Sequence, residues 1–211
     1  MAQAILEEPK QAKKMRRMSW EEFLQWEPEH NHNEWVDGEV IELMPVEQRH
    51  QTILSMLDTL ISLFALKFDL GSAFIAPFLM RLISRPSGRE PDLLFIRKEN
   101  LHRLRNTFVD GPADLVIEII SPESDARDRI TKFAEYELGG VREYWLIDHF
   151  EQETFFYQLD AQGKYQRVLA NESGRYDCAA IPGFWINVNW LWQEPKPTFE
   201  AMRALNIIPA V

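Results

Sequence analysis

The chain has 211 residues, of which 45% are hydrophobic and 27% are charged, and this composition excludes collagen-like, low-complexity and fully disordered proteins. The net charge of −10 makes the surface as a whole repel polyanions at long range, so only a local basic patch could bind nucleic acid. With one cysteine, Cys178, an intrachain disulfide is impossible, and a cytoplasmic location is the simplest expectation.

The chain organisation predicts one main domain. Residues 1–18 lack apolar periodicity and are predicted to be a mobile basic tail, followed by a folded domain over 19–195. Residues 196–211 are predicted to form a short helix and a tail. The longest stretch without a charged residue, 178–193, contains Pro182 and is shorter than the ~20 apolar residues that span a bilayer, so we expect no membrane segment.

The first half of the domain predicts a helix, a hairpin and a long helix in turn. Segment 19–22, Ser-Trp-Glu-Glu, is a capping box that opens a short helix. Asp37-Gly38 lies between two short apolar runs and predicts a tight β-hairpin. From Gln51 to Phe68 apolar residues recur at the i, i+3, i+4, i+7 spacing, which predicts the main core helix.

The middle of the chain predicts strands around a second helix. Segment 73–83 is predicted to be one strand whose internal Pro77 favours an edge or a bulge. A further strand begins after Pro91, and the apolar run 114–120 is typical of a strand covered on both faces. Ser121 and Pro122 are then predicted to open a helix that turns Ile130, Phe133, Ala134 and Leu138 inward.

The last part predicts a buried strand over 144–148, a hairpin over 154–169 and a final strand over 186–190. Helices and strands in this order indicate an α/β fold, in which a mixed β-sheet has helices on both faces and carries extra β-hairpins.

Two acidic residues in apolar strands are the strongest candidates for chemistry. Glu118 lies between Ile117 and Ile119, where a carboxylate loses several kcal/mol of solvation unless it is paired or bound to a cation. Asp92 begins a neighbouring strand. If the two carboxylates meet, each raises the pKa of the other, and a hard divalent cation such as Mg²⁺ or Mn²⁺ would relieve the conflict.

Lys132 is a third candidate. It follows the Glu118 strand in the next helix, from which its ammonium could return toward the strand end to orient a water or offset charge on a phosphate. The alternative is an exposed helix pair with Asp128, four residues earlier.

These residues also carry a family resemblance. The segments concerned are Pro91-Asp92, Leu115–Ser121 around Glu118, Lys132 and Tyr136, Gly140–Asp148, Trp35–Glu39, and His50. Together they resemble the Uma-two family of restriction endonuclease-like proteins, within the PD-(D/E)XK nuclease superfamily, from about Ser19 to the strand near Trp190.

The resemblance implies a restriction endonuclease-like core and a metal-dependent phosphodiesterase acting on DNA. It implies that Asp92 and Glu118 bind the metal and that a lysine assists the attacking water. The usual superfamily lysine stands two residues after the glutamate, where this chain has Ile120, so the resemblance assigns that role to Lys132.

Other polar residues are secondary candidates. Glu34 is a candidate further ligand, and His50 could hold a carboxylate or a phosphate. The alternative for each is an exposed strand or cap residue. A net-positive segment between residues 81 and 105 favours nucleic-acid contacts by Arg81, Arg85 and Arg89, although solvated loops would give the same pattern.

Two other functions are compatible with the sequence. Asp92 and Glu118 could be the acid and base of a glycoside hydrolase in which tryptophans stack on sugar rings. Alternatively, the chain could be an inactive module that binds nucleic acid or protein, and it could form a homodimer through an apolar strand edge.

Overall fold

The computed structural model describes residues 16–28, 32–121, 124 and 127–209. Most of the predicted tail, residues 1–15, lies outside this part, as does Pro122 at the predicted start of the second helix. Within it, Arg16 and Arg17 pair with Val40 and Glu39 as a short strand, so the predicted tail does not extend to residue 18.

The structure contains strands and helices in the following chain order. The strands are β1 (Arg16–Arg17), β2 (Asn33–Val36), β3 (Glu39–Glu42), β4 (Gly71–Ile75), β5 (Leu79–Leu82), β6 (Ser87–Arg89), β7 (Leu93–Arg97), β8 (Phe108–Asp110), β9 (Leu115–Ile119), β10 (Glu143–Asp148), β11 (Glu153–Leu159), β12 (Tyr165–Val168), β13 (Arg175–Asp177) and β14 (Trp185–Asn187). The α-helices are α1 (Trp20–Gln25), α2 (Gln48–Phe68), α3 (Phe133–Gly139) and α4 (Thr198–Ala204). Helical turns of other types cover Lys98–Arg103, Arg127–Lys132 and Val188–Leu191.

The strands form two six-stranded sheets and one two-stranded sheet. The first sheet has the order β1-β3-β2-β6-β5-β8, and the second has the order β12-β11-β10-β9-β7-β4. In the second sheet β9 and β10 are parallel, whereas β7 pairs antiparallel with β9. In the first sheet β5 and β8 are parallel, so each large sheet is mixed. The chain passes between the two sheets several times, and one of these passages is the three-residue link that joins β6 to β7.

The second sheet is buried on both faces, as the apolar run of β9 predicted. On one face Leu115, Ile117 and Ile119 pack in a cluster with α2. On the other face Val116 packs with Tyr136 of α3 and with residues of β5. A mixed sheet with helices on both faces is thus confirmed.

Helix α2 is the main core helix, as its periodicity predicted. By length and composition alone it could cross a membrane. In the structure its residues Ile53, Leu57, Leu60 and Ile61 are fully buried in the core beneath the second sheet. Its apolar character is accounted for by this packing.

Helix α4 completes the same core. Ala201, Met202 and Leu205 are buried in the cluster that contains α2. The C-terminal segment is thus part of the fold rather than an appendage after residue 195.

Some expected elements differ from the structure. The segment 73–83 is two strands, because Ile75 pairs with Leu93 in the second sheet whereas Leu79 pairs with Phe108 in the first. The last strand ends at Asn187 and continues as a helical turn.

Candidate functional site

The candidate site lies where the two large sheets meet. It surrounds a cavity of about 460 Å³. Asp92, Glu118, Lys132 and His50, four of the residues predicted from the sequence, line this cavity, although they are far apart along the chain. Glu34 lies directly behind them, fully buried on β2.

Asp92 is fixed by the backbone of the neighbouring strand. Its Oδ2 accepts a hydrogen bond from the Ile119 N–H at 2.7 Å, one residue beyond Glu118. The same oxygen lies 3.1 Å from Nε2 of His50, at the start of α2. The antiparallel pairing of β7 with β9 brings Asp92 to this position, so Asp92 and Glu118 converge on one cavity.

Glu118 accepts two hydrogen bonds on the same oxygen. Oε1 accepts from Lys132 Nζ at 2.8 Å and from the Tyr136 hydroxyl at 2.7 Å. Burial raises the pKa of Glu118 to about 8; Lys132 opposes this rise, and Asp128 and Asp92 add to it. Lys132 thus offsets only part of the cost of burying a charge on Glu118, and a second cation would stabilise the charged form further.

Lys132 stands among three carboxylates. Its Nζ lies 2.8 Å from Glu118, 3.2 Å from Glu34 and 3.4 Å from Asp128. Burial alone would lower the pKa of Lys132, but these anions raise it above its ordinary value, so the ammonium remains protonated. The side chain is 3% exposed, and the alternative of an exposed helix pair with Asp128 is therefore wrong.

Glu34 links Lys132 to a buried arginine. Its Oε2 accepts a hydrogen bond from Arg89 Nη1 at 2.9 Å, and Arg89 in turn contacts Glu135 of α3 at 2.6 Å. Burial would raise the pKa of Glu34, but the positive charges of Lys132, Arg89 and Arg127 outweigh it and lower the pKa to about 2. Glu34 is thus a buried anion, and the alternative of an exposed strand residue does not apply.

The predicted nucleic-acid contact by Arg89 needs correction. Its side chain is 1% exposed and is paired on both sides by Glu34 and Glu135. A guanidinium in this position has no surface to offer a phosphate. Its role in the structure is to join β6 to β2 and to α3.

Arg81 and Arg85 lie on the first sheet and its following turn, and neither lines the cavity. Arg81 lies 3.5 Å from Asp110 and packs over the ring of Trp20. Arg85 contacts Asp37 at 2.9 Å and Glu135 at 3.7 Å. Both side chains are partly exposed, so their contact with nucleic acid stays a prediction.

Sequence reasoning named Tyr136 as part of the family resemblance without giving it a role, and it did not single out Glu90 or Arg127. Tyr136 lies four residues after Lys132 on the same helical face, which is a signal that the spacing could have provided. Burial and the neighbouring Glu34 raise the pKa of Glu90 to about 8. Arg127 lines the cavity beside Asp128, and its place there depends on tertiary packing.

The candidate metal ligands of the cavity suit an ion that takes few ligands from the protein. Among the described residues no group of three His, Cys, Asp or Glu side chains is arranged to hold a metal ion. Two carboxylates, Asp92 and Glu118, are suitable for Mg²⁺ or Mn²⁺, because Mg²⁺ commonly keeps several waters and takes its remaining ligands from substrate phosphates.

The cavity offers no platform for a sugar ring. No Trp, Tyr or Phe is present among the described residues that line it. Trp20 and Trp35 pack against each other in the small cluster beside the first sheet, and Trp145 lies in the main core. The glycoside hydrolase interpretation therefore loses the stacking residues on which it depended.

Comparisons with known proteins find a similar sequence and a similar solved structure. The chain is 25% identical over 169 residues to "Uncharacterized protein slr1290" of Synechocystis sp. (strain ATCC 27184 / PCC 6803 / Kazusa), a match that covers 78% of this chain and 86% of the relative. It is also similar to the crystal structure of "a putative nuclease belonging to DUF820" from Anabaena variabilis ATCC 29413. That likeness has a TM-score of 0.69 at 18% identity and covers 83% of this chain and 97% of the other.

The structural likeness confirms the predicted restriction endonuclease-like α/β fold. The profile of the Uma2 family, described as "Putative restriction endonuclease", matches residues 20–189. This range includes β2, β7, β9 and the turn that carries Lys132, and so every element that builds the site. Since the match covers most of the sequence as well as the whole site, the chain belongs to the Uma2 family.

Proposed function

We propose that this protein is a nuclease that hydrolyses phosphodiester bonds of DNA at the cavity between its sheets, with Mg²⁺ or Mn²⁺. One observation carries the proposal. Two carboxylates, of Asp92 just before β7 and of Glu118 on β9, line the same cavity as the ammonium of Lys132. Lys132 Nζ lies 2.8 Å from Glu118, and Asp92 accepts a hydrogen bond from the Ile119 N–H beside Glu118. Family membership supports the reaction class.

Asp92 and Glu118 are the residues that would hold the cation. A bound divalent cation supplies polarisation of the scissile phosphate and a lowered pKa for an attacking water. The protein fixes Asp92 through the Ile119 N–H and His50, so this carboxylate is oriented before any ligand arrives. Such fixed orientation reduces the cost of assembling the site.

Lys132 acts in this proposal as a fixed positive charge. Because its pKa is raised, its ammonium donates hydrogen bonds and does not accept a proton at neutral pH. It can therefore orient a water or offset charge on a phosphate oxygen, but it is not a general base. Glu34 and Asp128 hold the ammonium at the site.

A cleavage assay tests the proposal. DNA is incubated with the protein and Mg²⁺ or Mn²⁺, with and without a chelator. We expect metal-dependent cleavage that Asp92→Asn and Glu118→Gln each reduce by about a hundredfold or more, as is typical for loss of a group that stabilises charge in the transition state. Glu99→Gln is the control, since Glu99 is exposed and does not line the cavity. If Asp92→Asn and Glu118→Gln leave the cleavage rate unchanged, the proposed roles of Asp92 and Glu118 are excluded.

A second candidate function is an inactive binding module on the same fold. The specific observation in its favour is that Lys132 already contacts Glu118, Glu34 and Asp128, so a cation is in place without a metal. Salt-dependent DNA binding without cleavage in any divalent cation would favour this function over the first.

A further inference from the structure

The mouth of the cavity has an apolar side that the proposed hydrolysis does not explain. Leu43, Met44, Pro45 and Val46 form the loop between β3 and α2, and with Ile75 at the end of β4 they line the cavity. We call these five residues the apolar rim. Met44 is 61% exposed, and Val46 and Ile75 are also exposed. The rim is continuous with the carboxylates, because all of these residues line the same cavity.

Arg127 supplies a cation at the same cavity. Its Nε is buried and has no hydrogen-bond partner among the described residues, and its ion-pair contact with Asp128 is long, at 4.0 Å. Lys132, by contrast, contacts three carboxylates. Arg127 is thus more weakly paired than Lys132, and because its side chain is 28% exposed its guanidinium can contact an incoming phosphate.

The reactive groups are recessed from the surface. The side chains of Glu118 and Lys132 are 4% and 3% exposed, and that of Asp92 is 20% exposed. A cavity of about 460 Å³ is within the range of sites that enclose a small ligand. A base can enter a recessed pocket of this kind only from a single strand or after it has turned out of the duplex.

The charges around the cavity do not suit the two backbones of a duplex. Duplex binding depends on several Lys and Arg side chains along the phosphates. The described lining contains two such residues, Arg127 and Lys132, beside the acidic Glu42, Glu90 and Asp128. A single phosphate needs fewer cations than the two backbones of a duplex, and one base can lie against one apolar surface.

We propose that the site takes an unpaired nucleotide of a single DNA strand, with the base against the apolar rim and a phosphate at Arg127. The inference rests on the proposed nuclease function and names the form of its substrate. The apolar rim supplies a van der Waals contact for the base face, in the place where other single-strand sites use aromatic stacking. Paired DNA keeps its bases inside the stack and cannot make this contact.

Cleavage of matched substrates tests the inference. The substrates are a labelled single strand, the same sequence as a blunt duplex, and that duplex with a short central bulge. We expect the single strand and the bulge to be cut about threefold to tenfold faster than the blunt duplex, because an aliphatic contact lies at the low end of the ~1–3 kcal/mol that aromatic stacking contributes per base. Equal rates on all three would overturn the inference and would leave phosphodiester hydrolysis standing.

Binding tests the inference without turnover. Fluorescence anisotropy with the Glu118→Gln protein and Mg²⁺ compares a single strand with its duplex. We expect Met44→Ser in this background to weaken single-strand binding by roughly threefold to tenfold. Arg127→Gln should weaken it and reduce its salt dependence, as loss of a phosphate contact does. Leu169→Ser is the control, since Leu169 is 72% exposed and does not line the cavity.

The two proposals fail in different ways. If no DNA form is cleaved in any metal, the nuclease function fails. A single-strand preference that Met44→Ser weakens would then still support the apolar rim as a nucleotide contact. Equal binding of single strand and duplex, or binding that Met44→Ser leaves unchanged, would overturn the inference.

Discussion

Lys132 is the residue on which the charge balance of the site depends. One ammonium lies within 3.4 Å of carboxylate oxygens of Glu118, Glu34 and Asp128, all of them buried. Burying charges is costly, and the cost is offset only while the opposite charge is present. Lys132 therefore has a structural role whether or not the protein cleaves DNA.

We expect Lys132→Met to lower the free energy of unfolding by about 3–5 kcal/mol at pH 7, since it leaves the buried carboxylates of Glu34 and Asp128 without this counter-charge. Urea unfolding followed by fluorescence measures the effect. Lys164→Met is the matched control: Lys164 pairs with Glu137 but is 67% exposed, and exposed pairs contribute about 1 kcal/mol or less. Equal stability of the two variants would contradict this account.

Single residues were predictable from the sequence where their neighbours gave the signal. Glu118 stood out because Ile117 and Ile119 flank it, and the structure buries it as expected. Arg89 gave the opposite result. Its partners Glu34 and Glu135 are 55 and 46 residues away, so a local count of basic residues could not show that it is paired and buried.

At the scale of elements, Arg89 joins the first sheet to α3. It lies on β6, contacts Glu34 on β2, and donates to Glu135, which also accepts from the Ser87 hydroxyl. Every partner in this chain of contacts is buried. The orientation of α3, and with it the position of Lys132, depends on these contacts.

We expect Arg89→Met to cost about 3–5 kcal/mol of unfolding free energy, because Glu34 and Glu135 lose a buried partner. If the protein is a nuclease, the same change should reduce cleavage by displacing Lys132 through Glu34. Arg175→Met serves as the control, since Arg175 forms an exposed pair with Asp177. Denaturant unfolding and cleavage are measured on both variants, and an Arg89→Met protein as stable as the control would refute the coupling.

The packing of α1 on the first sheet requires a glycine. A Cβ at Gly88 would lie 2.2 Å from Cζ3 of Trp20, which is impossible without moving the ring. We expect Gly88→Ala to cost about 1–3 kcal/mol, in the range of overpacked cores. In a Trp20→Ala background the same change should cost much less, which a double-mutant cycle by thermal unfolding would show. If the losses of unfolding free energy in Gly88→Ala and Trp20→Ala are simply additive, close packing of Gly88 against Trp20 is contradicted.

Elements were predictable where their signals were local. The capping box at Ser19 and the turn at Asp37-Gly38 are both present. The predicted inward face of the second helix was wrong for Ile130, Ala134 and Leu138, which are exposed, Ile130 and Leu138 to 69% and 67%, whereas Phe133 packs against the core as predicted. The reason is the π-helical turn at Arg127–Lys132, since its wider spacing shifts the phase on which a 3.6-residue period depends.

At the scale of the whole molecule, buried carboxyl groups make stability depend on pH. Burial raises the pKa of Glu90 and of Glu118 from the ordinary value of 4.5 to about 8. The folded protein then binds more protons than the unfolded chain in this window, so these groups lower stability as pH rises. Glu34 has the opposite effect, because its pKa is lowered to about 2. Its charged form contributes stability that is complete above about pH 4.5 and is lost as the pH falls toward 2.

We therefore expect the free energy of unfolding to fall on both sides of a maximum near pH 5, as measured by urea unfolding across pH. Glu90→Gln should flatten the fall between about pH 5 and 8, because an amide has no charge to bury. Asp160→Asn is the control, since Asp160 lies outside the cavity at an exposed turn. Parallel curves for Glu90→Gln and the unchanged protein would contradict the assignment.

Divalent cations should stabilise the protein more at pH 8 than at pH 5. Protons and metal ions compete for the same carboxylates, and the pKa of Glu118 is raised by burial. Thermal unfolding with Mn²⁺ measures the effect, which we expect Asp92→Asn to remove. A Mn²⁺ effect that is the same at both pH values would count against binding at these carboxylates.

The short link Glu90-Pro91-Asp92 joins β6 of the first sheet to β7 of the second and passes through the site. Glu90 donates its N–H to Glu34 of the first sheet, whereas Asp92 accepts the Ile119 N–H of the second. A ligand that restrains this link restrains both sheets together. Hydrogen–deuterium exchange of the backbone amides should thus slow in β2 and in β9 at the same ligand concentration, because a ligand bound at this link stabilises both sheets.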